Sequence, residues 1–215
     1  GDGYAGIGVW RAAFKPLVDR IADTDIRLQW FCCDRSTGVT DASGKRVTLI
    51  RDTKYPVSVE YQTVKFIGTG RDNIKAGVFS GWELGDYIYL RSEEAYMIKM
   101  EALAHKGSAD AITELNSFMK TRQPDYNYTF TNKADLIEEI IYQKRVEFWG
   151  EGLEYIDNRR LNIPVDRTDE TWGAENNNHF SAGKFRYNQE ERPFLYQLPL
   201  SEIENNSQLS PTDQN

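Results

Sequence analysis

The sequence predicts a mainly α protein, built of helical hairpins and joined to an irregular, loop-rich portion with short β-strands. Three observations carry this prediction. Two segments between residues 86 and 124 space their apolar residues by threes and fours and are parted by a glycine. A third segment starts on a capping residue at 132 and keeps the same period. Residues 1–85 hold no sustained helical period and are rich in Gly, Thr and Asp. The expected organisation is therefore a loop-rich portion over 1–85 and a helical-hairpin portion over 86–215, together one compact unit.

In the first portion a helix is expected at 10–22 (WRAAFKPLVDRIA), interrupted by Pro16, whose missing N–H and ring break an interior turn. "RVTLI" (46–50) and "YQTVKFI" (61–67) read as short strands, and "GVTDASGKRV" (38–47) as a hairpin tip turning at Ser43-Gly44. From Asp86, Leu90, Tyr96, Met97, Met100 and Leu103 mark a helix that stops at Gly107. Ser108 can cap the next helix, whose apolar face is Ile112, Leu115, Phe118 and Met119 and which ends before Pro124. So short a link makes an antiparallel helical hairpin. Asn132 caps the third helix, with Leu136, Ile137, Ile140, Ile141 and Phe148 on its buried face. Gly150 and Gly152 then weaken it, and "LEYIDNRRLNIP" forms a last short helix before Pro164. Two stacked helical hairpins are the expected result. Residues 165–192 are polar and aperiodic, a long surface excursion that is functional or mobile. "FLYQLPL" (194–200) suggests a short strand, and the remainder a polar tail.

Composition narrows the function. A chain of 215 residues, 40% hydrophobic, can bury a real core, and a net charge of -7 with a pI near 5.0 argues against a nucleic-acid partner. No apolar run spans a membrane, and "GDGYAGIGVW" lacks the basic start and apolar stretch of a signal peptide, so a mature chain or a piece of a longer one is expected. The adjacent Cys32 and Cys33 give no disulfide framework, and His105 and His179, the only histidines, give no metal or catalytic cluster. Asp23 and Asp25 in "DTDIR" could touch a calcium ion, yet the EF-hand spacing is missing. No cofactor is expected. Aromatics stand out at 13% of residues, with 12 Tyr, 10 Phe and 5 Trp. Rings beyond the needs of a core suit a ligand that is half apolar and half polar, as sugars are.

"EFWGEGLEYIDNRRL" (147–161) invites a catalytic reading. If the helix survives Gly150, however, Glu147 and Glu151 stand side by side at i and i+4, whereas glycoside hydrolysis needs carboxylates facing each other across a cleft. Ion pairs with Arg145, Asp157, Arg159 and Arg160, tying the segment to a neighbouring helix, account for it better. Trp149 reads as a packing ring. The candidate ligand platforms lie elsewhere: Tyr4, Trp10 and Trp30 in the irregular portion, and Trp82 beside glycine.

Three blocks in order, "YIYLRSEEAYMIKMEALAHKGSADAITELNSFMKTR" (87–122), "DLIEEIIYQKRVEFWGEGLEYIDNRRL" (135–161) and "PFLYQLPLSEIENNSQLSPT" (193–212), resemble the C-terminal part of the SusD/RagB family of bacterial outer-membrane nutrient-binding lipoproteins. Arg91, Glu94, Tyr96, Glu101, Leu115, Asn116, Arg145, Glu147, Glu151, Gly152, Asp157, Arg160, Leu198, Pro199, Glu202 and Ile203 sit at matching positions. The departures are mild: Gln197-Leu198-Pro199 for the family's Pro-hydrophobic-Pro, and Lys144-Arg145-Val146-Glu147 for its Arg-Arg-Glu. Members of that family are more than twice as long. The resemblance implies a tetratricopeptide-like helical scaffold and non-catalytic binding of an oligosaccharide or polysaccharide. It also implies delivery to a SusC-like TonB-dependent transporter, at the extracellular face of the outer membrane, with the N-terminal half and the lipid anchor outside this chain. A peptide-binding RagB-like lid, or a docking part with no ligand site of its own, are the alternatives.

Overall fold

The computed structural model describes residues 12–32, 61–63, 65, 89–129, 132–191 and 197–213. These are mainly α, with strands of two residues each, and fall into two units, Gly1–Glu147 and Phe148–Asn215.

In the first unit, Pro16 opens a helix instead of interrupting one. Helix α1 is only Lys15–Asp19, with Pro16 in its first turn, where a missing N–H costs nothing. A 3-10 turn, Ile26–Trp30, follows, capped by the Asp25 side chain. Strand β1 (Phe31–Cys32) pairs antiparallel with β2 (Gln62–Thr63), which falls within the strand expected over 61–67; residues 64, 66 and 67 lie outside the described residues. The expected strand at 46–50 and hairpin tip at 38–47 lie outside the described residues.

Helix α2 runs Ser92–Lys106 and ends at Gly107, whose φ of 72° is the left-handed conformation that lets the Gly107 and Ser108 amides bond back to Ala104 and Leu103. An added Cβ at Gly107 meets nothing within 4 Å, so Gly107→Ala isolates the cost of that dihedral. Thermal or urea unfolding should show a loss of about 1 kcal/mol. Helix α3, Asp110–Met119, starts two residues after Ser108, whose hydroxyl still accepts the Asp110 N–H at 3.2 Å. Helix α4 is Lys133–Glu147, with Asn132 Oδ1 accepting the Asp135 N–H at 3.0 Å as a cap. Helix α2 packs on both α3 and α4. Among its described residues the first unit thus holds, besides the short α1, the hairpin of α2 and α3 together with α4; the helix expected to complete a second hairpin belongs to the other unit.

The core of the first unit takes Val18, Ile21, Leu28, Phe31, Met97, Met100, Ala104, Ala111, Leu115, Met119, Leu136, Ile140 and Val146. All three methionines of the chain are there, suited to irregular gaps between helices. Leu90 and Tyr96 are exposed, contrary to the expected stripe, because the buried face of α2 is Met97, Met100, Glu101 and Ala104. Glu101 is tolerated there through the buried Lys144 Nζ at 3.2 Å. Helix α4 is buried around most of its girth, so its polar side chains must find partners inside the protein.

The second unit holds α5, Leu153–Arg160, entered through Gly152 at φ 87°. The excursion 165–192 is not structureless. Strands β3 (Val165–Asp166) and β4 (Arg186–Tyr187) pair antiparallel, and a single helical turn, α6 (Asp169–Trp172), lies between them. Asp169 accepts Lys184 Nζ at 2.7 and 2.8 Å and Asn177 Nδ2 at 2.8 Å, while Trp172 Nε1 donates to the Asp166 carbonyl at 2.9 Å. Residues 197–199 are irregular and Leu200–Asn205 forms α7, so the expected strand over 194–200 does not extend to its end and the "polar tail" begins as a helix. Six residues with one buried apolar side chain, Ile203, are too few to show a period in sequence.

Candidate functional site

The densest constellation in the first unit forms where α4 ends, at Glu147. This residue is 0% exposed, so its carboxylate has to be satisfied by protein groups. Arg91 Nη1 donates to Oε1 at 2.9 Å, Arg122 donates through Nη2 to Oε1 at 3.1 Å and through Nε to Oε2 at 3.2 Å, and Arg27 Nη1 reaches Oε2 at 3.3 Å. The Glu147 carbonyl, free because the helix stops, accepts Arg91 Nη2 at 2.8 Å and Lys65 Nζ at 2.6 Å.

Arg27 is as deeply buried as Glu147 and forks onto Asp25, with Nη2 to Oδ2 at 2.6 Å and Nε to Oδ1 at 3.0 Å. It also donates to Gln143 Oε1 at 2.5 Å. Arg122 meets Glu93 at 3.3 Å. Three guanidinium groups therefore face three carboxylates, Asp25, Glu93 and Glu147. Burial alone would raise the Glu147 carboxyl, but hydrogen bonds from Arg122 and Arg91 and the charges of Arg27 and Arg122 outweigh it and hold it at about 2. Burial would likewise lower the Arg27 guanidinium; the hydrogen bond and charge of Asp25, with Glu147 behind them, raise it instead.

Such a centre is poor at chemistry. The Glu147 carboxylate accepts four hydrogen bonds from arginine, and its low pKa removes it from the range of a general base. The helix does not survive to Gly150: α4 ends at Glu147, and Gly150 and Gly152 take φ of 79° and 87°, so the condition for Glu147 and Glu151 to stand at i and i+4 on one helix is not met. Within the second unit, the arginines of the same segment have partners of their own. Arg160 pairs with Asp157 at 2.7 Å, and Arg159 donates to the Gln189 carbonyl. Asp25, a candidate calcium contact, is occupied by Arg27, and among the described residues no group of three or more His, Cys, Asp or Glu could hold a metal.

Of the four expected platform residues, Tyr4, Trp10 and Trp82 lie outside the described residues. Trp30 ends the 3-10 turn and is half-buried, with Lys65 Nζ 4.7 Å from its ring centroid. The same ammonium bonds the Glu147 carbonyl, so Trp30 borders the arginine centre. Trp149 is half-buried and Trp172 is 36% exposed. Sequence reasoning missed Arg27 and Arg122 as partners of Glu147; the fork of Arg27 onto an aspartate two residues before it was the available local sign.

Among the described residues no helix is long and apolar enough to cross a membrane. No curated protein matches the chain. Its fold is similar to that of a SusD-like carbohydrate binding protein from Bacteroides vulgatus ATCC 8482, with a TM-score of 0.58 and 22% identity, over 90% of this chain and 40% of that one. The chain thus spans about two fifths of that protein's length. The family model described as the SusD family matches residues 21–215, nearly the whole sequence, and the chain belongs to that family.

Proposed function

We propose that this chain is part of a non-catalytic glycan-binding protein at the bacterial cell surface. It captures oligosaccharide and passes it to a SusC-like TonB-dependent transporter, held at the extracellular face of the outer membrane by a lipid anchor outside this chain. The observation that carries the reading is family membership across residues 21–215. The carbohydrate binding named for the similar Bacteroides protein supports the ligand class. Absence of catalysis is supported by the arginine-saturated state of the one deeply buried glutamate at the centre of the site. Recognition rests on rings stacking against sugar C–H faces, with Trp30, Trp10, Trp82 and Tyr4 as the platform residues.

Calorimetric titration with soluble oligosaccharides of glucose, xylose, mannose and galactose tests this. At least one should bind and be recovered uncut, and Trp30→Ala should weaken it about tenfold, the scale of one stacked ring. Binding of peptides with no response to any saccharide would replace this reading with the peptide-binding one. The docking reading draws on one observation, the exposed Tyr89, Leu90, Tyr96 and Ile98 at the start of α2. It predicts transporter association without any saccharide affinity.

A further inference from the structure

Next to the arginine centre, with which it shares Asp25 and Gln143, the first unit carries a cleft of about 320 Å³ between residues 20–25, the loop 123–128 and helix α4. Its walls include Arg20, Tyr126, Asn127, Tyr128, Glu139 and Tyr142. Trp30 is not among its lining residues. The volume lies at the small end of ligand pockets, suiting one ring.

The two buried carboxylates of its lining, Glu139 and Asp25, are already answered. Glu139 accepts Arg20 Nη2 at 2.5 Å on Oε2, and the Tyr126 hydroxyl at 2.9 Å and Gln143 Nε2 at 2.7 Å on Oε1. Asp25 is held by Arg27. A neutral ligand that enters therefore meets no unpaired buried charge. Tyr126 and Tyr128 stack at 6.5 Å and 18°, and the Arg20 guanidinium lies 3.8 Å from the Tyr142 ring centroid. Apolar ring surface thus stands beside polar groups. Arg20 is about half exposed and keeps donors for a ligand; Asp125 is an exposed acceptor; and the exposed Asn127 amide makes no hydrogen bond to another described residue.

The wall is also fixed in advance. Asn116 clamps the Tyr128 backbone from both sides, its Oδ1 accepting the N–H at 2.7 Å and its Nδ2 donating to the carbonyl at 3.1 Å. The Tyr128 hydroxyl donates to the Asp135 carbonyl at 3.1 Å. Binding here need not order the loop first.

Resting on the glycan-binding reading above, we propose that this cleft is a second saccharide subsite. It takes one neutral pyranose residue against Tyr128, with hydroxyls on Arg20, Asn127 and Asp125.

The test is a nuclear magnetic resonance titration of the ¹⁵N-labelled 215-residue chain with the methyl glycosides of glucose, galactose, xylose and mannose, and with the oligosaccharides used above. At least one glycoside should shift the amides of residues 126–128. Asn127→Ala, at an exposed position outside the core, should weaken that site about fivefold, and Tyr128→Leu about tenfold, while Trp30 responds to oligosaccharide as before. Saccharide binding that leaves residues 126–128 unmoved, or that both variants leave unchanged, overturns the subsite and leaves the glycan reading intact. No response to any saccharide sinks both.

Discussion

Glu147→Gln should destabilise the protein by about 3–5 kcal/mol at neutral pH, the range for removing one partner of a buried ion cluster. The amide keeps the shape of the carboxylate but removes the charge that three buried or half-buried guanidinium groups, Arg27, Arg91 and Arg122, are arranged around. It also replaces an acceptor oxygen with a donor, so one of those arginines meets an N–H where it needs a lone pair. The pH dependence has a definite sign. The folded Glu147 carboxyl stands at about 2 against an ordinary 4.5, so its stabilisation is complete above the ordinary value and is lost as pH falls toward 2. On that shift its ionisation contributes about 3 kcal/mol at neutral pH. Urea midpoints at pH 7 should differ clearly between wild type and variant, and the gap should narrow by pH 2.5. A gap that persists undiminished in acid would show that packing, not charge, is what the substitution removed.

The helices were legible because their rules are local. Met97, Met100 and Ala104, Leu115 and Met119, Leu136 and Ile140 repeat at three or four residues, and Gly107 and Asn132 mark ends by dihedral and by cap. The centre of the site was not legible, since its partners are remote: Arg27 lies 120 residues from Glu147, Arg91 lies 56 and Arg122 lies 25. Local spacing sees only i,i+3 and i,i+4 neighbours, and even the conditional i,i+4 placement of Glu147 and Glu151 lapses because the helix ends at Glu147. Several residues that carry the family resemblance turn out to be polar clasps of the fold. Arg91 meets Glu147, Glu101 meets Lys144, Asn116 holds Tyr128, and Asp157 meets Arg160. A motif of scattered charged residues can therefore identify a scaffold while saying little about its ligand. The glycan platforms remain proposals for that reason: of Tyr4, Trp10, Trp30 and Trp82, only Trp30 has a described setting.

Arg27→Met should cost about as much as Glu147→Gln, about 3–5 kcal/mol, although methionine fits the apolar part of the space. Arg27 is 1% exposed and reaches four groups at once: both Asp25 oxygens, Gln143 Oε1, Glu147 Oε2 and, at 3.7 Å, the Met119 sulfur. A thioether replaces none of the donated hydrogen bonds. Asp25 retains the Arg27 backbone N–H at 2.9 Å but becomes a nearly bare buried charge, and Glu147 keeps Arg91 and Arg122. Glu147 then has one guanidinium fewer to hold its carboxyl down, and its pKa rises from about 2 toward the ordinary value. The variant should accordingly lose its remaining stability at a higher pH than wild type on acid titration, the reverse of Glu147→Gln, whose acid limb flattens. Arg27→Lys separates charge from shape. An ammonium restores the charge without the planar fork that spans Asp25 and Gln143, and it should recover part of the loss at most. In the double variant Arg27→Met with Glu147→Gln, the cost should fall well short of the sum of the two single costs, because neither change then leaves the other group facing an unpaired charge. Additive costs in that cycle would mean that Arg27 is held by Asp25 and Gln143 alone, and that its contact with Glu147 at 3.3 Å contributes nothing.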